Sequence, residues 1–290
     1  MIRQAAAQLA ELADANARGV VREEVMVPGR TPDDPSVRCL LYKPQDLSEL
    51  TGAYLHLHGG GYILGSPEGS DLHNIQLAAS LGIVIVSVDY RLAPEHPVPA
   101  ALDDSYAVLA WMHQNASGLN VDPNRIAIGG ESAGGGLAAT LALFARDQGE
   151  YPICYQMLTY PMIDDRTGCD AKPGDPLTGE FVWTRARNQL GWAYYLGDVA
   201  PAAPLAAARA ESVSGLPPTW ISTAALDLFR DENINYAQRL LMAGVATELI
   251  IYPGACHGFQ MATEARVTKQ YIRDHAEALA RGLKVGNIAR

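Results

Sequence analysis

Three short stretches of this 290-residue chain carry side chains that could act together in one reaction. Gly130-Glu131-Ser132-Ala133-Gly134 is a GxSxG stretch that follows the strand-like RIAIG and opens the helix-like GGGLAATLAL. A serine in that setting sits on a tight, strained turn that pushes its hydroxyl clear of a sheet. The positions two before and two after it must then be nearly free of side chain, and both are glycine. A hydroxyl is a poor nucleophile at its own pKa and needs a base. On a strand-turn-helix elbow of this kind an acid and then a histidine follow the serine along the chain. Only His257 and His275 lie beyond Ser132. His275 falls in the helix-like YIRDHAEALARGL, where a surface position is expected. His257 falls in PGACHGF just after the strand-like ELIIY, on the edge where ligands meet open α/β sheets, and is the predicted base. Asp227, immediately after PTWISTAAL, is the predicted acid that would fix the imidazole tautomer. Asp231 reads instead as the N-cap of the helix that follows.

The third stretch is His58-Gly59-Gly60-Gly61, placed directly after the strand-like AYLHL. Consecutive glycines let a backbone approach a ligand closely and point N–H groups at a developing oxyanion. Removing one such donor typically costs about 3 kcal/mol of transition-state stabilisation, so this loop ranks with the nucleophile and its base. The chemistry these residues suit is acyl transfer through a covalent serine intermediate. They imply neither a metal nor an organic cofactor.

Positioning them requires a particular scaffold. Apolar runs at 53–57, 82–88 and 125–129 alternate with helical segments near 70–80, 99–116 and 133–147. Strand candidates at 218–224 and 247–252 then alternate with helices near 231–243 and 264–282. This rhythm predicts an α/β fold with a mostly parallel central sheet flanked by helices. VREEVMVPG and SVRCLLYKP alternate as antiparallel strands, and residues 2–18 read as a helix ended at Gly19. Residues 164–205 break the pattern with Gly, Pro and Asp clusters and then the aromatic FVWTRARNQLGWAYYLG, which reads as an insertion above the sheet.

Composition narrows the partners. With 48% apolar and 19% charged residues the chain is of ordinary globular type, and one domain over 1–290 is expected. A formal net charge of −10 offers no footprint for nucleic acid or anionic lipid, so a neutral small molecule suits it better. No run reaches the roughly 20 apolar residues that cross a bilayer. The first residues carry Glu11 and Asp14 where a signal peptide needs an apolar core, so a cytoplasmic address is expected. The four cysteines are scattered and are expected as reduced thiols.

HGGG at 58–61, DYRLAPEHPVPAALDD at 89–104, GESAGG at 130–135, DLFRDE at 227–232 and HGF at 257–259 together resemble the hormone-sensitive-lipase-like (bacterial family IV) esterases of the α/β-hydrolase superfamily. The resemblance implies a Ser132-Asp227-His257 triad and oxyanion N–H groups from Gly60, Gly61 and Ala133. His58 would support the glycine loop rather than move protons. Asp89, Arg91 and Glu95 would brace the sheet edge. A helical cap would be built from about 1–30 and 164–205, with Phe181, Trp183, Trp192, Tyr194 and Tyr195 as pocket candidates. The family commonly has Asp before the serine, and this chain has Glu131 instead. The implied activity is that of a carboxylesterase acting on short- to medium-chain esters. Some members pair through the last strand and C-terminal helix, so a homodimer is among the expectations. Two other readings use the same scaffold: an amide or formamide hydrolase on the same triad, and a non-catalytic small-molecule receptor.

Overall fold

The computed structural model describes residues 18–285, so nearly all of the helix expected over 2–18 lies outside the described residues. Eight strands form one sheet: β1 Val20–Val27, β2 Val37–Pro44, β3 Thr51–Leu57, β4 Val84–Val88, β5 Val121–Glu131, β6 Tyr155–Thr159, β7 Thr219–Ala224 and β8 Thr247–Tyr252. Their order across the sheet is β1-β2-β4-β3-β5-β6-β7-β8. β2 is antiparallel to both β1 and β4, and every later pairing is parallel. The described residues of the expected 1–30 cap segment include β1, which is an edge strand of the sheet and not part of a cap.

The parallel strands are short apolar runs because both of their faces are covered. In β4 all five residues, VIVSV, are buried. Alternate residues feed two separate cores. Val84, Val86, Leu55, Leu57 and Ile128 face the core shared with helices α2 Ala100–Gln114, α4 Ala133–Gln148 and α6 Arg230–Met242. Ile85, Tyr54, Ala127 and Trp220 face the core shared with α1 Asp71–Leu81 and α7 Arg266–Leu283. The remaining helices are the single turn α3 Ala116–Leu119 and α5 Arg185–Leu196. β6 escapes the sequence reading because Gln156 interrupts its apolar run. In the sheet that residue is fully buried and donates from Nε2 to Thr219 Oγ1 at 2.7 Å.

The DYRLAPE segment braces the structure through two of its three charged residues. Asp89 Oδ2 accepts from Arg38 at 3.0 Å, and Arg91 binds Asp104 of α2 with Nε at 3.0 Å and Nη2 at 2.7 Å. Glu95 is exposed and takes no part in this bracing. The insertion at 164–205 carries α5 and packs down on the loop after β3. Tyr195 stacks on Tyr62 at 3.9 Å between centroids, and Val98 N donates to Tyr195 O at 2.8 Å.

Candidate active site

The turn between β5 and α4 has the strain its sequence requires. Ser132 adopts φ 57° and ψ −119°, a conformation sparsely populated by residues with a side chain and found where surrounding packing enforces it. The packing here is backbone against backbone. A Cβ on Gly130 would stand 2.0 Å from Leu57 O, and one on Gly134 would stand 2.0 Å from the same oxygen. Both glycines are therefore obligatory for the approach of β3 to the elbow.

Ser132 Oγ lies 2.9 Å from Nε2 of His257, and Nδ1 of His257 lies 2.7 Å from Oδ2 of Asp227. Asp227 is fully buried on the turn after β7, and its other oxygen accepts from the Phe229 amide at 2.9 Å. That leaves the imidazole one tautomer, with Nδ1–H donating to the carboxylate and Nε2 free to accept from the serine. Asp231, expected as an N-cap, is instead within the first turn of α6 and ion-paired to Arg230 at 2.7 Å, because the helix starts two residues earlier than its polar signal suggests, with Phe229 at the N-cap position. His275, expected at the surface, is buried against Trp220, Tyr54 and Tyr271, since α7 turns that face onto the sheet. It cannot reach the serine, whose ring partner is His257.

The glycine loop lies beside the elbow: a Cβ on Gly59 would be 3.6 Å from Ser132 Cβ. Each candidate oxyanion N–H belongs to a peptide unit whose carbonyl is anchored on the opposite side. A planar trans peptide points its N–H away from its C=O, so anchoring one aims the other. His58 Nδ1 donates to Gly59 O at 2.8 Å, which orients the Gly60 N–H. Ile63 and Leu64 donate to Gly60 O at 3.1 and 3.0 Å, which orients the Gly61 N–H. Gly136 and Met162 donate to Ser132 O at 2.9 and 3.0 Å, which orients the Ala133 N–H. Ala133 also opens α4, where a helix leaves its first amides without intrahelical acceptors. His58 stacks on Tyr90 at 4.3 Å, and burial pushes its imidazole below its usual pKa. It is thus built to hold a carbonyl.

Of the aromatic pocket candidates, Trp183 reaches the site. Its ring centroid is 6.3 Å from that of His257, and its Nε1 donates to the buried Asn188 at 3.1 Å. Trp192 and Tyr195 are buried against Tyr62 and fasten the insertion to the loop after β3. Phe181 and Tyr194 are exposed. Two further rings box the imidazole: Tyr160 at 4.5 Å and Phe229, edge-on, at 5.3 Å. Phe229 could have been found from its place two residues after Asp227. Tyr160 follows β6, for which the sequence carries no clear signal.

A serine, an imidazole and a carboxylate in line, beside a glycine loop whose amides are candidate oxyanion donors, form an arrangement suited to making and cleaving an acyl-serine. Among the described residues no group of His, Cys, Asp and Glu has metal-binding geometry. No helix among them is long and apolar enough to cross a membrane.

A family model described as alpha/beta hydrolase fold matches residues 54–261. Esterase LipI of Mycobacterium tuberculosis is 38% identical over 210 residues, 71% of this chain and 64% of that protein, so the chain spans just under two thirds of that relative. Carboxylesterase NlhH of Mycobacterium tuberculosis is 40% identical over 229 residues, 76% of this chain and 70% of that protein. A solved structure titled bacterial heroin esterase superposes with a TM-score of 0.89 at 39% identity, covering 97% of this chain and 90% of that one. With the fold, the elbow and these matches in agreement, the chain belongs to the hormone-sensitive-lipase-like family of the α/β-hydrolase fold.

Proposed function

We propose that this protein is a carboxylesterase that hydrolyses small-molecule esters of short to medium acyl chain through an acyl-enzyme on Ser132. The observation that carries the reading is the unbroken hydrogen-bonded line from Ser132 through His257 to Asp227, at 2.9 and 2.7 Å, set beside the glycine loop. In the proposed reaction Ser132 Oγ attacks the ester carbonyl as His257 Nε2 takes its proton. The carbonyl oxygen becomes an oxyanion and gathers the N–H groups of Gly60, Gly61 and Ala133. His257 returns the proton to the alkoxide as the C–O bond breaks, and the alcohol leaves. Water then attacks the acyl-serine with the same base and the same donors, releasing the acid. Asp227 stabilises the imidazolium in both halves without itself taking the proton.

The similarity to proteins named esterase and carboxylesterase supports the ester as substrate class. The insertion at 164–205, which brings Trp183 to the site, is the proposed selector of the ester, and the tightness of that contact favours small groups. The deciding experiment is turnover of chromogenic acetate, butyrate and octanoate esters by the wild type and Ser132→Ala. Loss of turnover and of labelling by a fluorophosphonate in the variant is expected. Near-full activity without the serine hydroxyl would sink the mechanism, and equal rates on matched esters and amides would sink the substrate class.

A further inference from the structure

Behind the serine, on the face covered by α1 and α7, lies a buried polar cluster for which the acyl-transfer steps have no use. Its centre is Glu131, the last residue of β5 and the neighbour of the nucleophile. Glu131 Oε2 accepts from Nε2 of His56 at 3.2 Å. His56 is fully buried on β3, and its Nδ1 lies 2.8 Å from Ser87 Oγ on β4 and 3.3 Å from Asn74 Nδ2 on α1. With Nδ1 accepting from these groups, Nε2 carries the proton it gives to the carboxylate. Burial opposes the ionisation of Glu131, but the field and hydrogen bond of His56 outweigh it and hold the carboxyl at about 2.

This pair links two strand ends. Two residues beyond His56 the chain enters the glycine loop at His58, and one residue beyond Glu131 it enters the elbow at Ser132. The two ends touch, since a Cβ on Gly59 would be 3.1 Å from Glu131 O. Backbone pairing between the strands stops short of both catalytic turns, with Leu57 opposite Gly130 as its last pair. Within that ladder His56 stands opposite Gly129, and its side chain reaches diagonally to Glu131, two residues further along β5, so the contact clamps the two strands just before the turns. An aspartate would be one methylene short of this reach, which gives the departure at Glu131 a physical meaning.

We infer that Glu131 and His56 are positioning residues: their hydrogen bond sets the distance between Ser132 and the amides of Gly60 and Gly61 at which an oxyanion is best held. The inference rests on the ester-hydrolase reading above. Both acylation and deacylation use the same donors, so mispositioning slows both steps together. The signature is a fall in kcat with KM nearly unchanged.

The test replaces the pair by two apolar residues, Glu131→Leu with His56→Leu, because removing both partners of a buried hydrogen bond together can be nearly neutral for folding, whereas removing one partner strands the other. Kinetics are measured per active site, with sites counted by fluorophosphonate titration. The double variant is expected to melt near the wild-type temperature and to lose about tenfold to a hundredfold in kcat, since small displacements of reacting groups cost that much. Glu131→Gln, whose amide oxygen still accepts from His56, should stay within about threefold of wild type, because the hydrogen bond is kept. Glu131→Ala serves as the second probe if two leucines do not pack, with the same loss in kcat expected. Wild-type kcat per site in the folded double or alanine variant would overturn the inference, as would a glutamine variant as slow as they are. Absence of ester turnover in the wild type would overturn the ester reading itself, whereas wild-type turnover with unimpaired variants overturns only the tether.

Discussion

The indole of Trp183 lies directly on the backbone of Gly61: a Cβ added to that glycine would stand 2.1 Å from Cη2. The same ring faces His257 and is held by Asn188, whose own amide donates to Thr167 O at 2.7 Å. An ester bound with its carbonyl among the amides of the glycine loop must therefore run along this ring.

Trp183→Ala should widen the site toward larger esters. Each added methylene accommodated in an apolar pocket is worth about 1–3 kcal/mol, so the ratio of kcat/KM for octanoate over acetate should rise at least about tenfold. Specificity constants over an acyl series in wild type and variant measure it. An unchanged profile would show that the indole does not bound the substrate.

Gly61→Ala should lose most of its activity for two separable reasons. Gly61 has φ 64°, which strains any residue with a Cβ, and the new methyl would collide with Trp183. The double variant Gly61→Ala/Trp183→Ala removes the collision but not the strain, so it should recover part of kcat. A double variant no better than the single one would assign the whole defect to the backbone.

Asp227→Asn should leave the fold in place and lower kcat by about 10⁴, because the amide can donate to Nδ1 and so favours the wrong tautomer. KM should move little. The comparison is made on a fast chromogenic ester with circular dichroism as a check on folding.

His275 predicts an acid sensitivity. Its burial among Tyr54, Trp220 and Tyr271 pushes its pKa down to about 3, so the folded chain keeps it uncharged while the unfolded chain protonates it near 6.5. Between these values the unfolded state binds the extra proton. Stability is thus complete above about pH 6.5 and falls as the pH drops toward 3, by about 2 kcal/mol at pH 5. His275→Phe should shrink the loss between pH 7.5 and pH 5 in denaturant melts. An equal loss in the variant would place the acid sensitivity elsewhere.

Much of the fold can be read from local pattern. The run VIVSV at 84–88 is apolar throughout because a parallel strand is covered on both faces, and the helices flanking it announce themselves by their own spacing. The elbow is legible because its serine and two glycines stand within five residues, although what demands Gly130 and Gly134 is the approach of Leu57 O from β3. His257 and Asp227 follow from chain order, which a shared topology imposes. β6 and Tyr160 are hidden, because a buried glutamine is satisfied only by a partner on the next strand.

The sequence by itself determined the α/β scaffold, the strained serine and the order of its partners, because each leaves a signature along the chain: a repeat spacing, a glycine-flanked serine, or the order that a common topology imposes. Tertiary structure alone decided that α7 turns His275 inward, that Trp183 of the insertion rests on Gly61, and that Glu131 grips His56 across the sheet. Those contacts join residues dozens of positions apart, and only the packing of strands and insertion selects them from the many pairs that composition would permit.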